Sequence, residues 1–196
     1  MKSSSITKKI VSGKFKNKVL KLPSKSTTRS SKAIVLESFF NTIQFEIIDA
    51  TFVELFSGSG SIGLEALSRG AKEIIFMERD HEALKVLKEN IAQTDPASCE
   101  VYSGDTFVNI QNVIKTLQRR KAKAYFYIDP PFSTREGMED IYDKTIAMIA
   151  SLPKECLKLI IIEHMSSLEI PKVIGSFCIK KSKKFGNTTL TYLESE

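Results

Sequence analysis

Val53-Glu54-Leu55-Phe56-Ser57-Gly58-Ser59-Gly60-Ser61-Ile62-Gly63 decides the fold. An apolar run opens it, Gly-x-Gly-x-x-Gly follows, and a helix is expected from Ser61 to Arg69. Glycines between a strand and a helix permit a tight turn, close backbone approach to a ligand and close helix-on-strand packing. Outward from this stretch, apolar runs alternate with helical periodicity. Strands are expected at Thr51–Phe56, Glu73–Met77, Glu100–Tyr102, Tyr125–Ile128 and Leu157–Ile162. Helices are expected at His81–Ala92, Thr106–Arg119 and Met138–Ala150. That alternation implies βαβ units on a parallel sheet covered on both faces. Phe177–Lys180 and Thr189–Leu193 break it, being two strands joined through Gly186-Asn187 with no helix between them. They should pair antiparallel and leave one reversed strand at the end of the sheet.

Upstream, Lys9–Ser12 and Val19–Leu22 read as a small basic hairpin around Gly13, followed by a polar loop from Ser24 to Ser31. Ser30-Ser31 then caps a helix through Phe45, with Ile34, Val35, Ser38, Phe39 and Thr42 on its apolar side. The division is a basic hairpin and loop over residues 1–30 and one catalytic domain over 31–196. A length of 196 residues suits that single core.

Charge points to a polyanionic partner. The net charge is +6, and from Met1 to Ser31 every charged side chain is basic, the first carboxylate being Glu37. Lysines and arginines that neutralise phosphates release condensed counterions, which favours nucleic acid. Arg119–Lys123 and Lys180–Lys184 add two basic clusters, which read equally as solvated faces. Cys99, Cys156 and Cys178 form no C-x-x-C pair, and His81 and His164 are far apart, so neither a disulfide framework nor a metal site is expected. The longest apolar run, Leu159–Ile162, is too short for a bilayer and the first residues lack a signal-peptide core, so a cytoplasmic location is expected, with no membrane contact. A monomer is expected.

The glycine pattern alone suits a dinucleotide equally well. Glu54 shifts the balance, because an acid ahead of the loop repels a pyrophosphate and attracts a cationic amino-acid moiety such as that of S-adenosylmethionine. A plain turn, with Glu54 exposed or paired with a lysine, is the alternative. Glu78, closing the next strand, is placed to accept from ribose hydroxyls. Asp105 follows the third strand and can accept from an adenine amino group, cap the helix after it, or do both. With these go Phe56, Gly58, Ser59, Gly60, Arg79 and Thr106 as cofactor-binding candidates.

Asp129-Pro130-Pro131-Phe132 follows the strongly apolar run Tyr125–Ile128, at the sheet edge where ligands bind in open α/β folds. Two prolines fix φ and supply no N–H, so carbonyls and one carboxylate dominate the polar surface. An acceptor-only cradle suits an amino group. If Asp129 and the Pro130 carbonyl each accept one N–H of an exocyclic base amine, its lone pair turns toward the methyl donor, and positioning governs the transfer. Phe132 would stack on the base, worth about 1–3 kcal/mol, and the base must be unpaired or flipped. Alone, the tetrapeptide reads as an ordinary strand-ending turn; its order after the glycine loop makes it a site.

Together these residues resemble the RsmD family of bacterial methyltransferases, along nearly the whole chain. Glu54–Ala71, Phe76–Asp80, Asp129–Phe132 and Lys184–Leu193 carry the likeness. The resemblance implies a class I methyltransferase fold, with a mostly parallel seven-stranded sheet and one antiparallel strand. It implies S-adenosylmethionine as cofactor and, as substrate, the N2 amine of a guanine in 16S ribosomal RNA of the small subunit. The chain departs from the family where Ser30, Ala33, Ile34 and Leu36 replace the usual Pro, Asp and arginines, residues that bear on RNA docking and on a cofactor lid. Glu54 for Asp and Ser57 for Ala are milder changes. The residues leave three rivals open: an N6-adenine or N4-cytosine methyltransferase acting on RNA or DNA, an NAD-dependent oxidoreductase, and a non-catalytic RNA-binding module.

Overall fold

Thr51–Leu55 and Ala124–Ile128 show no alternation of polar and apolar residues, and every residue of both is buried. Such runs belong to central strands of a parallel sheet buried on both faces. The computed structural model describes residues 6–23, 30–131 and 140–195, with the side chains of 30–32 excluded. In it β1 (Thr7–Lys9) and β2 (Val19–Lys21) form an antiparallel hairpin, and α1 spans Ser30–Thr42. Then follow β3 (Thr51–Leu55), α2 (Ser61–Ser68), β4 (Glu73–Glu78), α3 (His81–Ala92), β5 (Cys99–Ser103) and α4 (Thr106–Arg120). The second half holds β6 (Ala124–Ile128), α5 (Ile141–Ala150), β7 (Leu157–Met165), β8 (Val173–Ile174), β9 (Phe177–Phe185) and β10 (Thr188–Ser195).

The main sheet has the order β5-β4-β3-β6-β7-β10-β9-β8. The first five strands are parallel. β10 runs antiparallel to both β7 and β9. The expected class I arrangement is therefore present, with β8 added as a two-residue antiparallel edge. The reversed strand lies inside the sheet, not at its end. Leu190–Leu193 of β10 are buried, whereas β9 carries Lys180, Lys181, Lys183 and Lys184, so the apolar strand takes the interior and the lysine-rich one lies toward the edge, as edge protection requires.

One sheet face, built from Phe52, Tyr125, Tyr127, Leu159, Ile161, Leu190 and Tyr192, packs with residues of α1, α2 and α3. The opposite face, including Val53, Leu55, Phe126, Ile128, Ile160 and Ile162, packs with α4 and α5. From β3 the chain crosses to β4 and β5 on one side, then returns through α4 to β6 on the other. The carboxyl ends of β3 and β6 thus flank the reversal of strand order, where open α/β sheets bind ligands.

The first strand starts and ends earlier than expected, at Thr7–Lys9 instead of Lys9–Ser12, because Ile10 turns inward to the core and Val11 and Ser12 donate their amides to α2. The helix expected to reach Phe45 stops at Thr42: Phe45 is 79% exposed and Ile34 61%, so only part of the apolar periodicity faces the core. Capping by Ser30 and Ser31 lies outside the described side chains. No described helix is long and apolar enough to cross a membrane, and no group of three or more potential metal ligands occurs among the described residues.

Candidate active site

The glycine turn leaves β3 at Phe56, which adopts φ 56°, and passes through Gly58 at φ 54° and Gly60 at φ 73° into α2. A Cβ on Gly58 would meet nothing within 4 Å. The backbone there faces open space. Glu78, at the end of β4, braces the turn: its Oε2 accepts from the Gly58 amide at 2.6 Å and its Oε1 from the Arg79 and Asp80 amides at 2.8 Å each. Three of a carboxylate's roughly four acceptor positions are thereby taken. Glu78 is thus spent largely on the turn itself, with one acceptor position left.

Glu54 differs from the simple expectation. It is buried beneath the turn, 4% exposed, and its Oε2 accepts from the Gly63 amide at 2.7 Å in the first turn of α2. Burial pushes its ionisation up to about 8, against the opposing pull of the Gly63 bond and of the Lys8 ammonium. Burial thus favours the protonated carboxyl in the ligand-free protein. Asp129 adds to the upward push, which sets the two acids in one electrostatic neighbourhood.

Asp105 is the N-cap of α4, its Oδ1 accepting from Phe107 and Val108 at 2.8 and 3.3 Å. Its Oδ2 lies 3.9 Å from the half-exposed Arg79 guanidinium. Thr106 is buried behind it. The Phe56 and Phe107 rings meet edge to face at 5.7 Å, so an aromatic wall stands beside Asp105. Ser59 is buried and its carbonyl accepts from Asn90 Nδ2 at 2.9 Å.

Asp129 is half-exposed just past β6, with Pro130 buried behind it; Phe132 lies outside the described residues. Leu55 pairs with Ile128 in the β3–β6 ladder, so the glycine turn and Asp129 leave neighbouring strands at the same level. Ile128 pairs with Ile162, which brings Glu163 of β7 level with Asp129 on the other side. Glu163 is buried and accepts from the Tyr127 hydroxyl at 2.6 Å. Glu163 and Tyr142, which no sequence motif singles out, both stand in the electrostatic neighbourhood of Asp129. Tyr142, in the first turn of α5, is 5% exposed and its hydroxyl has no hydrogen-bond partner among the described residues. His164 is held by Met165 and Thr191, away from any acid–base role, and burial lowers its ionisation.

An open glycine surface, a carboxylate with one acceptor position left and a buried acid beneath the turn are features compatible with a nucleoside carrying a positively charged amino-acid tail. The family model described as conserved hypothetical protein 95 matches residues 8–194. The chain belongs to this family, the RsmD family of methyltransferases. Among RsmD-family relatives, ribosomal RNA small subunit methyltransferase D of Escherichia coli K12 is 27% identical over 191 residues, covering 96% of this chain and 90% of that one. The protein of the same name from Buchnera aphidicola of Baizongia pistaciae is 30% identical over 192 residues, covering 93% and 90%. The solved structure of yhhF, assigned as a methyltransferase of Escherichia coli, superposes with a TM-score of 0.76 at 25% identity, covering 97% of this chain and 99% of that one.

Proposed function

We propose that the protein transfers a methyl group from S-adenosylmethionine to the N2 amine of a guanine in 16S ribosomal RNA of the small subunit. The observation that carries the reading is the placement of Asp129 level with the glycine turn across the switch point of the sheet. The relatives' names supply ribosomal RNA as the substrate class. The cofactor supplies an electrophilic methyl on a sulfonium. The turn from Phe56 to Gly60 and the carboxylates of Glu54, Glu78 and Asp105 would hold it, with Arg79 and Thr106 supporting Asp105. Asp129 and the Pro130 carbonyl each accept one N–H of the target amine and aim its lone pair; Phe132 offers the stacking ring. With S-adenosylmethionine held there to supply the methyl group, Asp129 would orient the amine and would take the surplus amine proton.

Dinucleotide binding fits less well, since it needs helix N-terminal amides aimed at a pyrophosphate. Here the Gly63 amide is turned inward onto Glu54. The test uses small subunits from a strain lacking the enzyme, tritiated S-adenosylmethionine and nucleoside analysis. Wild type should yield N2-methylguanosine. Asp129→Ala should lower turnover at least about 100-fold, as loss of an electrostatic transition-state contact does, while binding S-adenosylhomocysteine nearly as well as wild type. N6-methyladenosine as the product would refute the base assignment, and full activity of the variant would refute the site.

A further inference from the structure

We propose that Tyr142 is a substrate-positioning and specificity residue, whose hydroxyl donates a hydrogen bond to the carbonyl oxygen on the Watson–Crick edge of the target base. The proposal rests on the guanine reading above.

The starting observation is an orphan. Buried hydroxyls are almost always hydrogen-bonded, because leaving one unmet forfeits its solvation. The Tyr142 hydroxyl is sealed from solvent and has no partner among the described residues. It also sits in company that a structural tyrosine does not need. The carboxylates of Asp129 and Glu163 are its charged neighbours, and burial together with those two acids pushes its ionisation up to about 12. The Met165 backbone tempers that shift without meeting hydrogen-bond geometry. The phenol therefore stays protonated and is a donor at any physiological pH.

Among the described residues, several groups near Asp129 are acceptors. Asp129 and Glu163 are carboxylates, the prolines offer only carbonyls, and the Tyr127 hydroxyl is spent on orienting Glu163. A guanine edge presents two donors, the N2 amine and N1–H, and one acceptor, O6. Two carboxylates and one phenol match that pattern of two acceptors and one donor. A site built to meet a substrate's polar groups rejects analogues that lack them, because its own buried groups are then left unpaired.

The test compares guanine with 2-aminopurine, which keeps the N2 amine but lacks the carbonyl. Each is placed at the methylated position, mapped beforehand by nucleoside analysis, in reconstituted small subunits. Tyr142→Phe should lower the rate on guanine about tenfold or more, the loss expected when a buried hydrogen bond is removed. Its rate on 2-aminopurine should stay within about twofold of wild type. Binding of S-adenosylhomocysteine should not change. Because the variant deletes an unmet buried group, its melting temperature without ligands should be equal to wild type or about 2–4 °C higher. An equal fall on both bases, or an unchanged guanine rate, would overturn the proposal. Adenine methylation by wild type would instead overturn the guanine reading and the proposal with it, and the wild-type product identifies which has failed.

Discussion

Glu54 lies buried beneath the glycine turn and accepts from the Gly63 amide. Its carboxyl titrates near 8 in the folded protein, against an ordinary 4.5, so the folded state holds the proton more tightly than the unfolded chain does. Stability of the ligand-free protein therefore falls as pH rises from about 4.5 to about 8, and the loss is complete above that. Glu54→Gln stays neutral and can still accept from Gly63; it should melt at a higher temperature than wild type at pH 8.5, by differential scanning. A cationic ligand group has the opposite preference, for the carboxylate. Binding of S-adenosylhomocysteine at pH 7 should thus release close to one proton, read as heats that differ between phosphate and Tris buffers. In Glu54→Gln that release should vanish and affinity fall about 10- to 100-fold, the worth of a charged hydrogen bond. Identical heats in the two buffers for wild type would contradict this. Glu54, Glu78 and Asp129 were legible because motif spacing fixes them on adjacent strand ends. The protonation state of Glu54 was not, since it depends on how deeply the turn covers it. For Tyr142 the sequence allows a place near the substrate pocket but favours plain packing: no motif contains it, and the placement of α5 is what sets it in the neighbourhood of Asp129.

The hairpin of β1 and β2 is fastened to the catalytic sheet by helix side chains. Glu65 of α2, 1% exposed, accepts from the Val11 and Ser12 amides at 2.8 and 3.1 Å and from Arg69 Nε at 2.7 Å. Gly13 lies so close to α2 that a Cβ there would fall 1.7 Å from the Ser68 carbonyl oxygen. Asn90 of α3 exchanges two bonds of 2.9 Å with the Lys21 backbone and donates a third to Ser59, in the glycine turn itself. Glu65→Ala takes the carboxylate partner from the partly covered Arg69 guanidinium and from two amides. A cost of about 3 kcal/mol is expected, or roughly 6–12 °C in melting temperature, with trypsin cutting sooner after Lys14, Lys16 and Lys18. A variant that melts and digests like wild type would show that Glu65 does not fasten the hairpin. Most strands and helices were legible from unbroken apolar runs and helical spacing. The tail of β9 was not, because Lys181–Lys184 has no apolar face of its own and is a strand only through its ladder with β10. Glu65 and Asn90 read as ordinary helix positions, since polar residues there look solvent-facing until a second layer of chain covers them.

For the whole molecule, the basic surface sets how strongly salt opposes RNA binding. Lys9, Lys14 and Lys16 are exposed on the hairpin, clear of Glu54 and Asp129. Replacing all three with alanine should reduce the slope of log affinity against log salt by about 2, at roughly 0.7 per phosphate contact on single strands. Filter binding over a salt series measures it, and an unchanged slope would place the RNA on another face. The position of β10 has a further outcome during synthesis. β9 leaves the ribosome before β10, yet its ladder is with β10 and not with β7. Apart from the contact of Phe177 and Cys178 with β8, this strand must therefore wait, with its lysines keeping it in water, until Leu190–Leu193 emerge and slot in beside β7. The sheet is thus completed from the inside outward, with β10 in place before β9.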